Sequence, residues 1–280
     1  EVAALGPLPA GVSVAVLHGI QHGEMAIARA SAARPVLCTP AQVAAWAAAG
    51  GGACDIMVDT GMNRLGLTPS EAASGLLDGL AVDTLHSHLA CADEPAHPLN
   101  ARQCADFTAL VAQLQPRRAA LANSAGIALG ADYHFGLTRP GLGLYGGQPV
   151  TGGTIALQQV VRIEAGVVQV RDVEAGASIG YGATYIAPRP MRIAVLGLGY
   201  ADGYRRALGA SGVARIGGTP CPVVGRVSMD LMMVDATGTG VTEGDRVEVD
   251  FDLAAAAAAS DIAQYELLTG LGQRYSRCWT

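Results

Sequence analysis

Residues 55–67 read DIMVDTGMNRLGL, and this stretch marks the end of one buried strand and the start of a polar loop. The apolar run 56–58 stops at the turn residues 59–61, and Arg64 follows before the next glycine. Short apolar runs closed by Asp, Thr and Gly are typical of strands that end at a turn. The pattern predicts a strand whose carboxyl end carries Asp59 and Arg64.

Strands and helices are predicted to alternate on both sides of this stretch, up to about residue 151. Alternation at this spacing indicates βαβ units and a parallel sheet. Six strand-like runs are visible, whereas a closed (β/α)8 barrel needs eight, so we predict a barrel that lacks its first strands. The runs are SVAVLHG (13–19), PVLCT (35–39), CDIMVDTG (54–61), VDTLHSHLA (82–90), AALANSAG (119–126) and GLTRPGLGLYGG (136–147). The helical segments are GEMAIARASAA (23–33), PAQVAAWAAAG (40–50), TPSEAASGLLDGL (68–80) and PLNARQCADFTALVAQL (98–114).

Short β-rich runs with glycine turns replace this alternation after about residue 152. Such runs are typical of an antiparallel sheet. They are ALQQVVRIEAGVVQVRDVEAG (156–176), MRIAVLGLGYADG (191–203), ARIGGTPCPVVGRVSMDLMMVDAT (214–237) and GDRVEVDFDL (244–253). We therefore predict two domains, a partial α/β barrel over 1–151 and a mostly antiparallel β domain over 152–280.

The composition argues against several classes of function. The 280 residues carry a formal net charge of −6, which is unfavourable for a general nucleic-acid-binding surface. No stretch approaches the roughly 18–20 uninterrupted apolar residues of a membrane-spanning helix, so no membrane partner is expected. The six cysteines form no C-x-x-C pair, and we predict no metal site. All 18 basic residues are arginine, so the chain contains no lysine.

Polar side chains recur where the predicted strands end. In a (β/α)8 barrel, the residues at the carboxyl ends of the strands build the active site. A lone histidine at such a position is more often a capping or core residue, and Asn-Ser-Ala-Gly (123–126) is a common helix start. Taken jointly, the positions predict a polar site at the mouth of the barrel. In chain order they are Asp59, Arg64, His86, His88, Ser124 and Arg139.

Eight stretches of the chain resemble the alanine racemase family, whose members are pyridoxal-phosphate-dependent enzymes of fold type III. The stretches follow the family order and span nearly all 280 residues. The resemblance implies a (β/α)8-type barrel followed by a β domain, and the interconversion of L-alanine and D-alanine. The stretches are VDTGMNRLGL, SHLACADEP, LANSAG, TRPGLGLYG, IGYGATYIA, GLGYADGYRR, VGRVSMDLMMVD and YELLTGLGQR.

The resemblance also implies that barrel residues hold pyridoxal 5'-phosphate. Arg139 matches the arginine that donates to the pyridine nitrogen, and since a guanidinium has no acceptor and keeps its proton, that nitrogen stays unprotonated. His88 matches the histidine that lies against the ring. Ser124 matches the serine that holds the phosphate, and the backbone N–H groups of Gly141 and Leu142 would add donors.

The catalytic roles implied by the resemblance include a tyrosine from the β domain. Tyr181 matches the base that serves one face of the substrate Cα, donated across a homodimer into the barrel of the partner. A phenol with a pKa near 10 is a poor base, so a nearby positive charge is needed, and Arg64 is a candidate. Arg64 is also the family position near the substrate carboxylate. Met229, through its backbone N–H, and Tyr200 match positions at the substrate site.

A lysine provides the second base in this family, and it also holds the cofactor. The reaction implied by the resemblance passes through an external aldimine and supplies D-alanine for peptidoglycan in the bacterial cytoplasm. No residue here can take the lysine's place as an imine-forming side chain, since the sequence contains no lysine.

We therefore expect an N-terminally incomplete racemase, either a fragment or a truncated homologue, and this chain alone should lack racemase activity because it has no lysine. Two alternatives remain open: a non-catalytic remnant that dimerises or binds a ligand, and a racemase for serine or another amino acid.

Overall fold

The computed structural model describes residues 2–21, 23–153 and 155–279. They form two compact units. The first, called here the α/β unit, comprises Glu1–Gly141 and Pro149–Thr154, and the second, the β unit, comprises Leu142–Gln148 and Ile155–Thr280. The predicted fold class, a parallel α/β part followed by an antiparallel β part, is confirmed.

The α/β unit contains one sheet of five parallel strands, arranged in the order of the chain. Parallel neighbours need a crossover between them, and the intervening helices provide it. The strands are β1 (Ala15–Val16), β2 (Arg34–Leu37), β3 (Cys54–Met57), β4 (Val82–His86) and β5 (Arg118–Ala120). The helices are α1 (Met25–Ala30), α2 (Pro40–Ala48), α3 (Pro69–Ala72), α4 (Pro98–Leu114) and α5 (Ser124–Ala128).

The register of this sheet aligns the strand ends from which the site is built. Met57, the last residue of β3, pairs with His86, and His86 pairs with Ala120, the last residue of β5. The carboxyl ends of β3, β4 and β5 therefore lie side by side at one edge of the sheet. Polar residues that follow these strands are brought together there, although they are far apart in the sequence.

Apolar side chains from both strands and helices fill the α/β unit. Strands of a parallel sheet covered by helices are buried on both faces, and the four residues of β3 are all buried. Trp46 of α2 and Phe107 of α4 pack into the same core as Ile56 and Leu85. The indole N–H of Trp46 donates to the carbonyl of Gly52 at 3.0 Å, so the one polar atom of this ring is satisfied.

Two of the elements predicted over residues 1–151 differ from the structure. The run 136–147 does not form a strand; Asn123 and Arg139 make an isolated bridge, and Leu142–Tyr145 form a 3-10 helix. Pro140 lacks a backbone donor, which disfavours a sixth ladder. The helix predicted over 68–80 ends after one turn at Ala72, and Gly75 and Gly79 follow with positive φ values of 86° and 80°.

The β unit is organised around a closed barrel of six strands, with two further strands as a separate hairpin. The strands are β6 (Ile163–Val173), β7 (Ser178–Ile179), β8 (Tyr185–Ile186), β9 (Met191–Leu196), β10 (Val213–Ile216), β11 (Thr219–Val224), β12 (Met232–Asp235) and β13 (Arg246–Val249). The barrel order is β10-β11-β12-β9-β6-β13, all its neighbouring strands are antiparallel, and β7 and β8 form the hairpin. Two helices follow, α6 (Leu253–Ser260) and α7 (Gln264–Gly270).

Among the described residues, no helix is both long enough and apolar enough to cross a membrane.

Candidate active site

The loop after β3 is organised by one carboxylate. Oδ1 of Asp59 accepts hydrogen bonds from the backbone N–H groups of Gly61 and Met62, each at 2.8 Å, and Oδ2 accepts from that of Arg64 at 2.9 Å. Burial raises the pKa of Asp59, but these donors outweigh it and hold the pKa below its ordinary value. Asp59 therefore shapes the loop, and the loop fixes the backbone of Arg64, whose side chain is exposed.

Arg139 is held by backbone carbonyls at the ends of β4 and β5. Its Nη1 donates to the carbonyl of Ala120 at 2.7 Å, and its Nη2 donates to those of Ser87 at 2.6 Å and Leu121 at 3.3 Å. Its Nε makes no hydrogen bond to the residues that the structure describes. Burial lowers the pKa of Arg139 to about 10, so the guanidinium stays charged at neutral pH.

His88 lies beside this arginine. Its Nδ1 is 3.4 Å from Nη2 of Arg139. Burial, followed by the charges of Arg139 and Arg64, lowers the pKa of His88 to about 4. The imidazole is therefore neutral at pH 7, and Nδ1 serves as an acceptor. Arg64 belongs to the loop that follows β3, and the carboxyl end of β3 lies at the same edge of the sheet.

Ser124 occupies the first residue of α5, directly beyond β5. Asn123 caps this helix, since its side chain accepts from the backbone N–H of Gly126 at 2.8 Å. The backbone N–H of Gly141 donates to Oγ of Ser124 at 2.9 Å. Arg64, His88, Ser124, Arg139 and Gly141 thus all belong to the α/β unit at the carboxyl edge of its sheet, whereas Leu142 begins the β unit.

Tyr181 of the β unit lies on a short 3-10 helix between two glycines of positive φ, Gly180 and Gly182. Its side chain is 71% exposed. Arg226 approaches this turn: a Cβ placed on Gly182 would lie 3.4 Å from Nη1 of Arg226. The sequence analysis missed Arg226, although it lies within the matching stretch VGRVSMDLMMVD, because only a structure shows which turn it approaches.

Two loops that carry predicted substrate residues are joined by backbone hydrogen bonds. The N–H of Tyr200 donates to the carbonyl of Ser228 at 3.0 Å, and that of Ala201 donates to the carbonyl of Met229 at 2.9 Å. The side chain of Met229 is exposed, and Arg206 lies over the ring of Tyr200 at 5.1 Å. These two loops therefore form one surface of the β unit.

The donors in the α/β unit fit a phosphorylated pyridine ring such as that of pyridoxal 5'-phosphate. A buried, charged guanidinium offers Nε–H as a donor and has no acceptor, which matches a pyridine nitrogen. The hydroxyl of Ser124 at the start of α5 matches phosphate oxygens. Covalent attachment through an imine needs a side-chain amine, and the 280 residues contain no lysine. A parallel α/β unit followed by an antiparallel β barrel is the architecture that the resemblance implies for the fold-type III class of pyridoxal-phosphate-dependent enzymes.

Comparison with known proteins identifies the family within this class. Residues 1–149 match the model of the alanine racemase N-terminal domain, and residues 160–279 match that of the C-terminal domain. Alanine racemase of Rhodospirillum rubrum is 44% identical over 96% of this chain and 76% of its own length. The catabolic alanine racemase of Agrobacterium fabrum is 40% identical over 97% and 74%.

Solved structures give the same result. The crystal structure of alanine racemase from Bartonella henselae, with covalently bound pyridoxal phosphate, superposes with a TM-score of 0.85 at 34% identity, over 98% of this chain and 80% of that one. The chain belongs to the alanine racemase family, a family of pyridoxal-phosphate-dependent isomerases. The resemblance seen in the sequence is thereby confirmed.

Proposed function

We propose that this chain provides the cofactor-binding residues and the catalytic tyrosine of an enzyme that interconverts L-alanine and D-alanine. The observation that carries the proposal is the clamped guanidinium of Arg139, a permanent donor held by three backbone carbonyls. When pyridoxal 5'-phosphate is bound, it supplies the electron withdrawal that acidifies the Cα–H bond of an amino acid. Arg139 would donate to its ring nitrogen, His88 would lie against the ring, and Ser124 would hold its phosphate.

The remaining cofactor contacts would come from backbone donors after Arg139. We infer that the N–H groups of Gly141 and Leu142 lie on the phosphate side, as the family resemblance implies. The N–H of Gly141 already donates to Oγ of Ser124. This bond places the hydroxyl of Ser124 beside the backbone that follows Arg139.

Tyr181 is the proposed base on one face of the substrate Cα, in a homodimer in which each subunit lends its tyrosine to the partner. Its exposure within one chain, 71%, supports a role in completing a partner's site. Arg64 would bind the substrate carboxylate, together with the backbone N–H of Met229 and the loop that carries Tyr200. Positive charge from Arg64 or from Arg226, which lies against the Tyr181 turn, would make the phenol a better base.

The second base of the proposed pair is a lysine that serves the opposite face. None of the 280 residues is lysine, so this chain by itself supplies one base of the two. We propose further that the complete reaction yields D-alanine for peptidoglycan in the cytoplasm of a bacterium, as the family resemblance implies.

Proton exchange in heavy water tests this proposal. The purified chain is mixed with pyridoxal 5'-phosphate and either L-alanine or D-alanine, and loss of the α-proton is followed by NMR. With one base present, one enantiomer should exchange its α-proton faster than the free-cofactor background, and racemisation should stay at background. Tyr181→Phe should abolish the exchange, and Tyr265→Phe, a change of another exposed tyrosine, should preserve it.

A non-catalytic role, in dimerisation or ligand binding, is the second candidate, and the absence of lysine favours it. This role predicts no exchange above background with either enantiomer. Faster exchange of serine than of alanine would instead point to a racemase for another amino acid on the same scaffold. Racemisation of alanine by the purified chain would contradict the proposal that lysine is the second base.

A further inference from the structure

His86 is a buried histidine to which the proposed function gives no role. It is the last residue of β4, and 2% of its surface is exposed. Its Nε2 lies 3.3 Å from Oδ2 of Asp55 on the neighbouring strand β3. Its Nδ1 lies 3.3 Å from Nη1 of Arg139. The imidazole therefore bridges a buried carboxylate and the guanidinium that the proposed function places at the cofactor ring.

The two partners define how His86 is protonated. A carboxylate accepts only, so the nitrogen facing Asp55 must carry the hydrogen; a guanidinium donates only, so the nitrogen facing Arg139 must be the acceptor. This is the neutral tautomer with hydrogen on Nε2. Burial is the main cause that lowers the pKa of His86, and the charge of Arg139 lowers it further, against the opposing effect of Asp55. The imidazole of His86 is therefore neutral, with its hydrogen on Nε2 facing Asp55 and its Nδ1 lone pair directed at Arg139.

Asp55 is itself fixed by groups on both sides. Nε of Arg34 donates to its Oδ1 at 3.1 Å, and the backbone N–H of Thr84 donates to the same oxygen at 3.2 Å. The other oxygen remains directed at His86. A rigid, buried carboxylate is a strong acceptor for the imidazole N–H, because a buried charge without partners is costly.

We propose that His86, oriented by Asp55, is a positioning residue that fixes the rotation of the Arg139 guanidinium. The inference rests on the proposed function, in which Arg139 faces the cofactor ring. With Nη1 bonded to His86 and Ala120, and Nη2 bonded to backbone carbonyls, both terminal nitrogens are engaged by the protein. The remaining donor, Nε–H, then points away from these acceptors and is kept for the ring nitrogen of the cofactor.

Two substitutions separate this role from a purely structural one. An asparagine amide can place its oxygen where Nδ1 of histidine lies, and a glutamine amide can place its nitrogen where Nε2 lies. His86→Asn therefore keeps the acceptor for Arg139, whereas His86→Gln keeps the donor for Asp55. His86→Phe keeps the ring volume and removes both. If the only role of His86 is to donate a hydrogen bond to Asp55, His86→Gln should resemble the wild type more closely than His86→Asn does, both in stability and in ligand binding.

Binding of pyridoxamine 5'-phosphate provides the first readout, since this amine needs no lysine to bind. Its fluorescence is titrated with the 280-residue chain and each variant. We expect His86→Asn to bind nearly as well as the wild type, and His86→Gln and His86→Phe to bind about tenfold or more weakly, as for a lost hydrogen bond to a charged group. Stability to urea should follow the opposite order, with His86→Gln above His86→Asn. Equal binding by Asn and Gln variants, or better binding by Gln, would overturn the inference.

Nitrogen NMR of the arginine side chains provides a second readout that needs no ligand. Slow rotation of the Arg139 guanidinium should give two separate Nη signals in the wild type and in His86→Asn, and one averaged signal in the other two variants. If the wild type binds no pyridoxamine 5'-phosphate, the proposed function fails while this readout still decides the inference. Separate Nη signals in all four proteins would show that the carbonyls alone fix Arg139, and would refute the role of His86.

Discussion

His86 and His88 lie on either side of Ser87, and both have a ring nitrogen within 3.4 Å of Arg139. Burial and this positive charge lower the pKa of each histidine. A histidine that is neutral in the folded chain and free to bind a proton in the unfolded chain makes stability depend on pH. The lowered pKa values of His86 and His88 should therefore make the free energy of unfolding fall in acid, which can be measured on the unliganded protein.

His88→Asn is expected to reduce the loss of stability in acid. The ordinary pKa of 6.5 applies in the unfolded chain, and the folded value is about 4. As the pH falls below 6.5, His88 binds a proton in the unfolded chain but stays neutral in the folded chain until the pH nears 4. Acid therefore favours unfolding. Protonation of His88 in the unfolded chain should lower the free energy of unfolding of the wild type by about 2 kcal/mol between pH 7 and pH 5.

The measurement is urea unfolding at the two pH values, followed by the fluorescence of Trp46. This ring is buried in the α/β unit, and Trp279→Phe removes the exposed second tryptophan. His86 titrates in both proteins, so the difference between them isolates His88. An equal loss of stability in the wild type and in His88→Asn would contradict the lowered pKa.

The loop after β3 shows how one element depends on a single glycine. Gly66 has a φ of +132°, and a Cβ at this position would lie 2.7 Å from the backbone nitrogen of Asp59 and 2.9 Å from the carbonyl carbon of Val58. Both neighbours are backbone atoms, which cannot move aside as a side chain can. The nitrogen of Asp59 also donates to the carbonyl of Leu67 at 2.8 Å, so a shift here would break the loop closure.

Gly66→Ala should therefore be more destabilising than the same change at Gly79, another glycine of positive φ in the α/β unit. Gly79→Ala is the matched control, since its φ is +80° and nothing lies within 4 Å of the added Cβ. Gly79→Ala should lower the free energy of unfolding by about 1 kcal/mol because of the positive φ. Gly66→Ala should lower it by roughly 2 kcal/mol more because of the clash with the backbone. Urea unfolding compares them; equal free energies would show that the loop relaxes without strain.

A segment near residue 274 joins the two loops of the β unit that carry Tyr200 and Met229. Nε of Arg274 lies 3.3 Å from Oδ1 of Asp202, next to the Tyr200 loop, and Nη1 lies 2.8 Å from Oδ1 of Asp230, next to Met229. The other oxygen of Asp202 accepts from the N–H of Gly199 at 2.9 Å. Arg274 thus bridges the same two loops that are joined by backbone hydrogen bonds.

Arg274→Gln should loosen this junction without unfolding the β unit. The arginine is half exposed, so solvent screens its ion pairs and the effect should be modest. We expect hydrogen exchange at the amides of Tyr200 and Ala201 to accelerate about twofold to fivefold. Arg277→Gln, in the same segment, is the control because its guanidinium bonds to the carbonyl of Gly272 instead. No difference between the two variants would exclude a bridging role for Arg274.

At the scale of the whole molecule, the absence of lysine predicts that the chain binds the cofactor without attaching it covalently to a side chain. After incubation with pyridoxal 5'-phosphate and reduction with borohydride, peptide mapping by mass spectrometry should find no pyridoxyl group on any side chain of the 280 residues. Pyridoxamine 5'-phosphate should bind nonetheless, because none of the groups proposed to hold it, Arg139 and Ser124 among them, is a lysine. A pyridoxyl group on an internal side chain would refute this view of the site.

The elements that the sequence predicted well are those with strong local signals. The run 54–61 contains β3 (Cys54–Met57), because an apolar run closed by Asp-Thr-Gly indicates a strand end by itself. The long helix predicted over 98–114 is α4 (Pro98–Leu114). The run 136–147 failed, since its apolar residues are compatible with a strand whereas Pro140 and the surrounding chain favour a bridge and a 3-10 turn.

The sequence by itself determined the family, the residue types at each strand end and the absence of lysine, since these need only the order of residues. The tertiary structure decided which of those side chains meet. Asp55 and His86 are 31 residues apart, and only the register of β3 against β4 makes them neighbours. Arg139 is 53 residues from His86, and burial at the shared edge of the sheet lowers the pKa of both Arg139 and His86. Sequence patterns report local periodicity, whereas such contacts depend on how parallel strands align and how far water is excluded.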